Sequence, residues 1–211
     1  MHYTKLKYFT AKLLVTTGDS RPAGAEFSRV IEIIDLSDDP KTCEPLENFP
    51  IYTSGGFAIL LDDENPVICG GSLYDGKLRR EITDRCFVIS QTEPQELRLK
   101  ESREWASTIK VSPSVAWVTG GSHFITGIPI GLPMSSTEYL SLDDSLSGPG
   151  PELPIHVWGH CMLQRDESTA ILIGGVSTEY YSSARSFIFD FTTDSWIEVD
   201  CKKILSNEKF F

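Results

Sequence analysis

The residues able to do chemistry are few and loosely grouped. Histidines stand at 2, 123, 156 and 160, and cysteines at 43, 69, 86, 161 and 201. His156, His160 and Cys161 are the tightest cluster of metal-ligand types, with His156 in a Pro-rich connection. His160 and Cys161 adjoin on what reads as an extended strand, so their side chains point to opposite faces and three ligands cannot converge from that run. No C-x-x-C pair gives zinc spacing. No nucleophile elbow occurs, and no histidine has partners at triad spacing. The acidic pairs Asp38-Asp39, Asp62-Asp63 and Asp143-Asp144 sit among turn residues and read as solvated. Neither a catalytic residue nor a metal ligand is assigned, no cofactor is implied, and the chain reads as a non-enzyme.

Charge narrows the partners. Nineteen Lys and Arg against thirty Asp and Glu give a net charge of −11, which offers no footprint for a phosphate backbone. No apolar run approaches the roughly 20 residues of a membrane helix. A protein partner is the expectation, with nucleic acid and membrane excluded. Cys69 lies in the apolar run Pro66-Val67-Ile68-Cys69, and Cys86 in Cys86-Phe87-Val88-Ile89, so both read as buried thiols. A facing Cys69–Cys86 bridge is the alternative in an oxidising compartment. Met1 to Thr10 lacks the continuous apolar stretch of a signal peptide, and no Asn-x-Ser/Thr sequon occurs. Both features lean toward the cytoplasm, with secretion the alternative if the N-terminus is incomplete.

Repetition identifies the elements that must position these residues. Four apolar runs end in small residues: Leu13 to Asp19, Val67 to Gly71, Ala116 to Gly121, and Ala170 to Gly175. Their first glycines, Gly18, Gly70, Gly120 and Gly174, are spaced by 52, 50 and 54 residues. Before three of these runs lies another apolar stretch with its own turn, at Gly56–Leu61, Trp105–Val111 and Gly159–Gln164. After them come third runs at Val30–Ile34, Cys86–Ile89, Tyr139–Leu142 and Ser186–Phe191. A fourth run is clear in the last unit as Trp196–Val199, with Glu96–Leu99 its counterpart in the second. Short strands joined by turn residues predict hairpins, and no segment supports a helix.

Four short antiparallel strands repeating about every fifty residues are the unit of a β-propeller. The last unit carries Gly174-Gly175, then Phe189-Asp190, then Trp196, and in this it resembles the kelch motif. Gly70-Gly71 and Gly120-Gly121 repeat the double glycine; Gly18-Asp19 is a degenerate copy, and the first three units lack the Trp. The resemblance implies an all-β, kelch-type propeller over residues 1–200, with repeats near 1–50, 51–101, 102–154 and 155–200 and a tail at 201–211. Rings of this kind usually hold five to seven blades. Four would close as a compressed ring or stay an arc, with self-association through open blade edges. The glycines then serve close backbone approach and positive φ, while Phe189 and Trp196 read as core between blades.

In such a unit the loop after the second strand leaves from the same end as the connection between units. Those loops, at 20–29, 72–83, 122–136 and 177–183, are the long ones. Arg21, Tyr74, Lys77, Arg79, Arg80, His123, Phe124, Tyr180 and Tyr181 lie in them, with Arg185 just beyond. Loops on a rigid scaffold carry binding residues, and Arg and aromatics are enriched at interface hot spots. The expected function is therefore a non-catalytic protein-interaction module using this loop face. A degenerate oxidase-like or carbohydrate-active enzyme domain, and a gene fragment without a role of its own, are the alternatives.

Overall fold

The computed structural model describes residues 51, 53–61, 65–74, 80–89, 95–124, 131–144, 147–178 and 182–200, together with three earlier strands. Those three, β1 (Lys12–Val15), β2 (Ile31–Asp35) and β3 (Cys43–Leu46), form an antiparallel sheet in chain order. The second unit contains β4 (Thr53–Ser54), β5 (Phe57–Leu61), β6 (Asn65–Cys69), β7 (Ser72–Tyr74), β8 (Arg80–Ile82), β9 (Arg85–Val88) and β10 (Gln95–Arg98). The third contains β11 (Ser107–Ser112), β12 (Val115–Thr119), β13 (Ser122–Phe124), β14 (Gly131–Pro133), β15 (Thr137–Ser141) and β16 (Gly148–Pro149). The fourth contains β17 (Val157–Trp158), β18 (Cys161–Gln164), β19 (Thr169–Ile173), β20 (Val176–Ser177), β21 (Ser186–Asp190) and β22 (Ser195–Val199). The chain is all-β, with no helix among the described residues.

Three four-stranded antiparallel sheets carry the structure: β5-β6-β9-β10, β11-β12-β15-β16 and β18-β19-β21-β22. Each has a near-continuous apolar run in its second strand, Val67–Cys69, Val115–Val118 and Ala170–Ile173, and since successive side chains point to opposite faces the sheet has two apolar faces to cover. Unit two covers one face with unit three: Val67, Cys69, Cys86, Val88 and Leu97 pack on Ala116, Val118 and Leu140. Unit three does the same with unit four, where Ile109 and Trp117 meet Met162, Ala170, Leu172, Phe187 and Phe189. Trp117 is the centre of this second core, with its ring centroid 4.9 Å from Phe189 and 5.9 Å from Trp196. Its indole N–H donates to Thr137 Oγ1 at 2.9 Å, and that hydroxyl donates to the Pro151 carbonyl at 2.8 Å, so no polar atom of the ring is buried unpaired.

The double glycine decides how closely successive sheets approach. The Gly71 N–H donates to the Arg103 carbonyl at 2.9 Å, and the Gly121 N–H to the Val157 carbonyl at 2.9 Å, each bond joining one unit to the connection that opens the next. Gly70 has φ +63°, and a Cβ there would lie 2.3 Å from the Arg103 carbonyl oxygen. That same connection buries a charge. Arg103 Nη2 sits 2.7 Å from Glu138 Oε1, with both side chains 1% exposed, and Arg103 Nη1 donates to the carbonyls of Gly120 and Ser136 at 2.8 and 3.0 Å. One guanidinium thus ties the connection to two strands of unit three.

Several expectations are corrected. Cys69 and Cys86 are not free thiols; they oppose each other across β6 and β9 and form a disulfide. The loops at 72–83 and 122–136 are not irregular, since each holds a short hairpin, β7–β8 and β13–β14, begun directly after the double glycine. Tyr74, Arg80, His123 and Phe124 are therefore strand residues. Fourth strands also exist in the first and third units, as β3 and β16. Trp105 precedes β11 rather than belonging to it, in a turn at φ +55°.

Two substitutions separate conformational strain from crowding. Gly159 has φ +61° with no neighbour within 4 Å of a Cβ, so Gly159→Ala should cost only the left-handed penalty of about 1–2 kcal/mol. Gly70→Ala adds the Arg103 collision and should cost at least twice that; equal costs in urea unfolding would refute the close-approach account. Glu138→Gln removes the buried carboxylate facing the Arg103 guanidinium, leaving it only the half-exposed Glu101 at 3.3 Å as a charge partner, and should destabilise by about 3 kcal/mol in the same measurement.

Candidate binding face

The end of the sheets where first strands begin and second strands finish is built from connections and hairpins. In unit two β4 pairs with β7, and in unit four β17 pairs with β20. In unit three Glu104 makes the equivalent single bridge to Ser122. The three connections are themselves joined: the Trp105 N–H donates to the Gly55 carbonyl at 2.7 Å, and the Gly159 N–H to the Trp105 carbonyl at 2.8 Å. All three residues have positive φ, and they are spaced 50 and 54 apart, as are Gly70, Gly120 and Gly174. Trp105 thus occupies a position that its two counterparts fill with glycine.

That substitution has consequences on both sides of the backbone. The Trp105 indole lies over Gly55, where a Cβ would be 2.8 Å from Cε2, and its ring centroid is 6.3 Å from that of Trp158. Trp105 remains 44% exposed and Trp158 is half-buried, so two indoles present an aromatic surface at this end. Beneath it the Glu104 carboxylate is buried and accepts from the hydroxyls of Ser72 and of Ser122, the latter at 3.2 Å. Glu104 ties the unit-two and unit-three hairpins to one connection.

The sequence-selected residues divide. Arg21, Lys77, Arg79, Tyr180 and Tyr181 lie outside the described residues. Tyr74 stands in β7 opposite Arg80; His123 and Phe124 stand in β13 opposite Leu132 and Gly131, on the same end as Trp105. Arg185 is held otherwise. Its Nε and Nη2 donate to Glu198 at 2.8 and 2.9 Å, and its guanidinium covers the Phe187 ring at 4.9 Å. Arg85 repeats this arrangement with Glu96 and Phe87, so it belongs to the sheet architecture. The hydrogen-bonded guanidinium holds the Glu198 carboxyl below its usual range. Arg185 also borders a cleft of about 550 Å³ with Ile155, His156, Ser177, Thr178 and Ser183.

Among the structural motif residues, Phe189 is buried against Trp117, and Trp196 Nε1 donates to the Glu152 carbonyl at 2.9 Å. Asp190 accepts from the backbone N–H groups of Thr192 and Thr193, closing the β21–β22 turn. Gly174 and Gly175 have positive φ like the earlier pairs. Trp105, Trp158 and Glu104 were missed from sequence. The signal was present, because aligning the units on their double glycines puts Trp105 in register with Gly55 and Gly159.

His160 does not meet Cys161 in a metal site: it is buried with Nε2 2.9 Å from Thr119 Oγ1, while Cys161 is exposed. Burial pushes its imidazole down to about 4 from the usual 6.5. The unfolded chain therefore takes up this proton near pH 6.5, whereas the folded protein resists until about pH 4. Stability should fall by up to about 3 kcal/mol as pH drops through that window, with no contribution above it. His160→Gln should flatten this part of the pH–stability profile; an unchanged slope would assign it to other groups.

No family model matches the sequence, and no curated protein matches it. Among solved structures the chain is similar to YjhT, with a TM-score of 0.69 at 14% identity, covering 82% of this chain and 59% of that one. The chain thus spans about three-fifths of that protein's length, and at this identity the likeness shows fold alone.

Proposed function

We propose that the chain is a kelch-type β-propeller segment of four units that binds a partner protein through the end carrying Trp105, Trp158 and the β7–β8 and β13–β14 hairpins. The regular double-glycine spacing, the four-stranded sheets stacked face to face and the Phe189-Asp190 and Trp196 positions support the propeller reading. One observation carries the binding reading: a bulky, half-exposed tryptophan at φ +55° where units two and four use glycine, Gly55 and Gly159. A left-handed non-glycine residue costs about 1–3 kcal/mol, and such strain concentrates at sites where the side chain has a use. Tryptophan is also among the residue types that dominate interface energies. The Cys69–Cys86 bridge favours an oxidising compartment over the cytoplasm expected from sequence. Among the described residues no helix is long and apolar enough to cross a membrane.

Trp105→Gly tests the binding reading, because it relieves strain while deleting the exposed indole. The unfolding free energy should change by no more than about 1 kcal/mol, the strain relieved offsetting the lost indole contact. Partner capture from the native source, scored by affinity isolation with the wild-type chain as reference, should be lost. Capture of the same partner by the variant at wild-type affinity would overturn the reading.

A further inference from the structure

His160 is a buried titratable group at a position that units two and three fill with small residues. Aligned on Gly55, Trp105 and Gly159, it corresponds to Gly56 and Ala106. Its ring reaches across the seam into unit three. Nε2 lies 2.9 Å from Thr119 Oγ1, and a Cβ on Gly120 would lie 2.8 Å from Cε1, so the imidazole occupies the space that this glycine leaves open. The Thr119 hydroxyl donates to the Ser107 carbonyl at 3.1 Å. A hydroxyl has one proton, so Nε2–H is the donor to Thr119 and Nδ1 carries the bare lone pair. Nδ1 is buried and has no hydrogen-bond partner among the described residues.

Protonation would put an N–H at Nδ1 with no acceptor and a full charge away from water. The groups around the ring are Ser107 of β11, Thr119 of β12, Gly120, Leu153, Val157 and Gly175, and none is charged. The charged pair beyond them, Arg103 with Glu138, is reached through the Gly120 carbonyl, to which Arg103 donates at 2.8 Å. The member that touches Gly120 is thus the cation, which disfavours a second positive charge. The backbone beside His160 holds this seam. The Gly121 N–H donates to the Val157 carbonyl at 2.9 Å and the Gly159 N–H to the Trp105 carbonyl at 2.8 Å, while Trp158 between them sets its indole 6.3 Å from that of Trp105.

We propose that His160 is an acid-sensitive latch on the seam between units three and four: when it takes up a proton, its ring leaves Thr119 for water and draws the Val157–Gly159 connection out, parting Trp158 from Trp105. The proton binds at Nδ1, and no covalent bond between heavy atoms changes. The seam between units two and three has no such latch, since Ala106 stands in that place. As control over the end that carries the two indoles, the latch rests on the binding reading above; the opening itself does not.

Amide hydrogen exchange of the full chain, read as protection at pH 7 and at pH 5, tests the latch without a partner. Opening should become about twentyfold easier over that range, because the exposed imidazole titrates near 6.5 and the buried one at about 4. Protection of the Gly121 and Gly159 amides should fall by that factor, while that of Gly71, bonded to the Arg103 carbonyl at the other seam, holds. In His160→Gln, which cannot take up the proton, the fall should vanish. Equal protection of Gly121 and Gly159 at both pH values overturns the proposal. So does a parallel fall at Gly71, which would mean that the whole stack loosens, or a fall that persists in a folded His160→Gln. Where that variant does not fold, the comparison of the two seams in the wild-type chain decides alone.

Discussion

Everything in this fold depends on two backbones coming together where a second strand ends. A β-sheet with two apolar faces is stable only if neighbours lie on both, and side chains set the ordinary spacing between sheets. At Gly70–Gly71 and Gly120–Gly121 that spacing collapses locally to a direct hydrogen bond between one unit and the connection leading to the next. The contact fixes how units are stacked, and it also turns the chain sharply enough that the segment after the glycines starts a new pairing with the connection behind it. The hairpins at the end that carries Trp105 are products of that turn.

The connection between units two and three shows how alternation along an extended backbone distributes work. Arg103 and Glu104 are adjacent, both buried and oppositely charged, yet they serve different neighbours. Arg103 reaches into unit three to Glu138 and two carbonyls, while Glu104 reaches the serines that begin two hairpins. A buried arginine with a carboxylate and carbonyl acceptors gives one arrangement a large advantage over its near alternatives, which suits a stack whose register must not slip. The next residue, Trp105, then leaves the backbone plane altogether.

Legibility in the sequence followed the strength of local rules. The repeats were visible because an apolar run ending in glycine recurs at nearly constant spacing, three times as a double glycine and once as Gly18-Asp19. The fourth strands of the first and third units were not, because β3 contains Pro45 and β16 is only Gly148–Pro149, and proline-containing edge strands lack the usual strand signature. The hairpins after the glycines were hidden for a different reason: Ser72–Tyr74 and Ser122–Phe124 are short, and their pairing depends on a connection distant in sequence. Trp105 was misread as a strand residue since tryptophan favours strands and disfavours positive φ. Arg185 was selected for its type, yet its neighbours Phe187 and Glu198 had already claimed it.

The disulfide gives unit two a property its neighbours do not share. Cys69 and Cys86 face each other where β6 ends and β9 begins, while the same cross-strand pairs are Thr119–Thr137 in unit three and Ile173–Ser186 in unit four. The bond closes residues 70–85 into a covalent ring that contains the β7–β8 hairpin. A peptide bond cleaved inside that ring leaves both fragments attached to the same sheet, so this hairpin can be nicked without being shed. An equivalent cut at the tip of the β13–β14 hairpin would leave its two halves held by hydrogen bonds and packing alone.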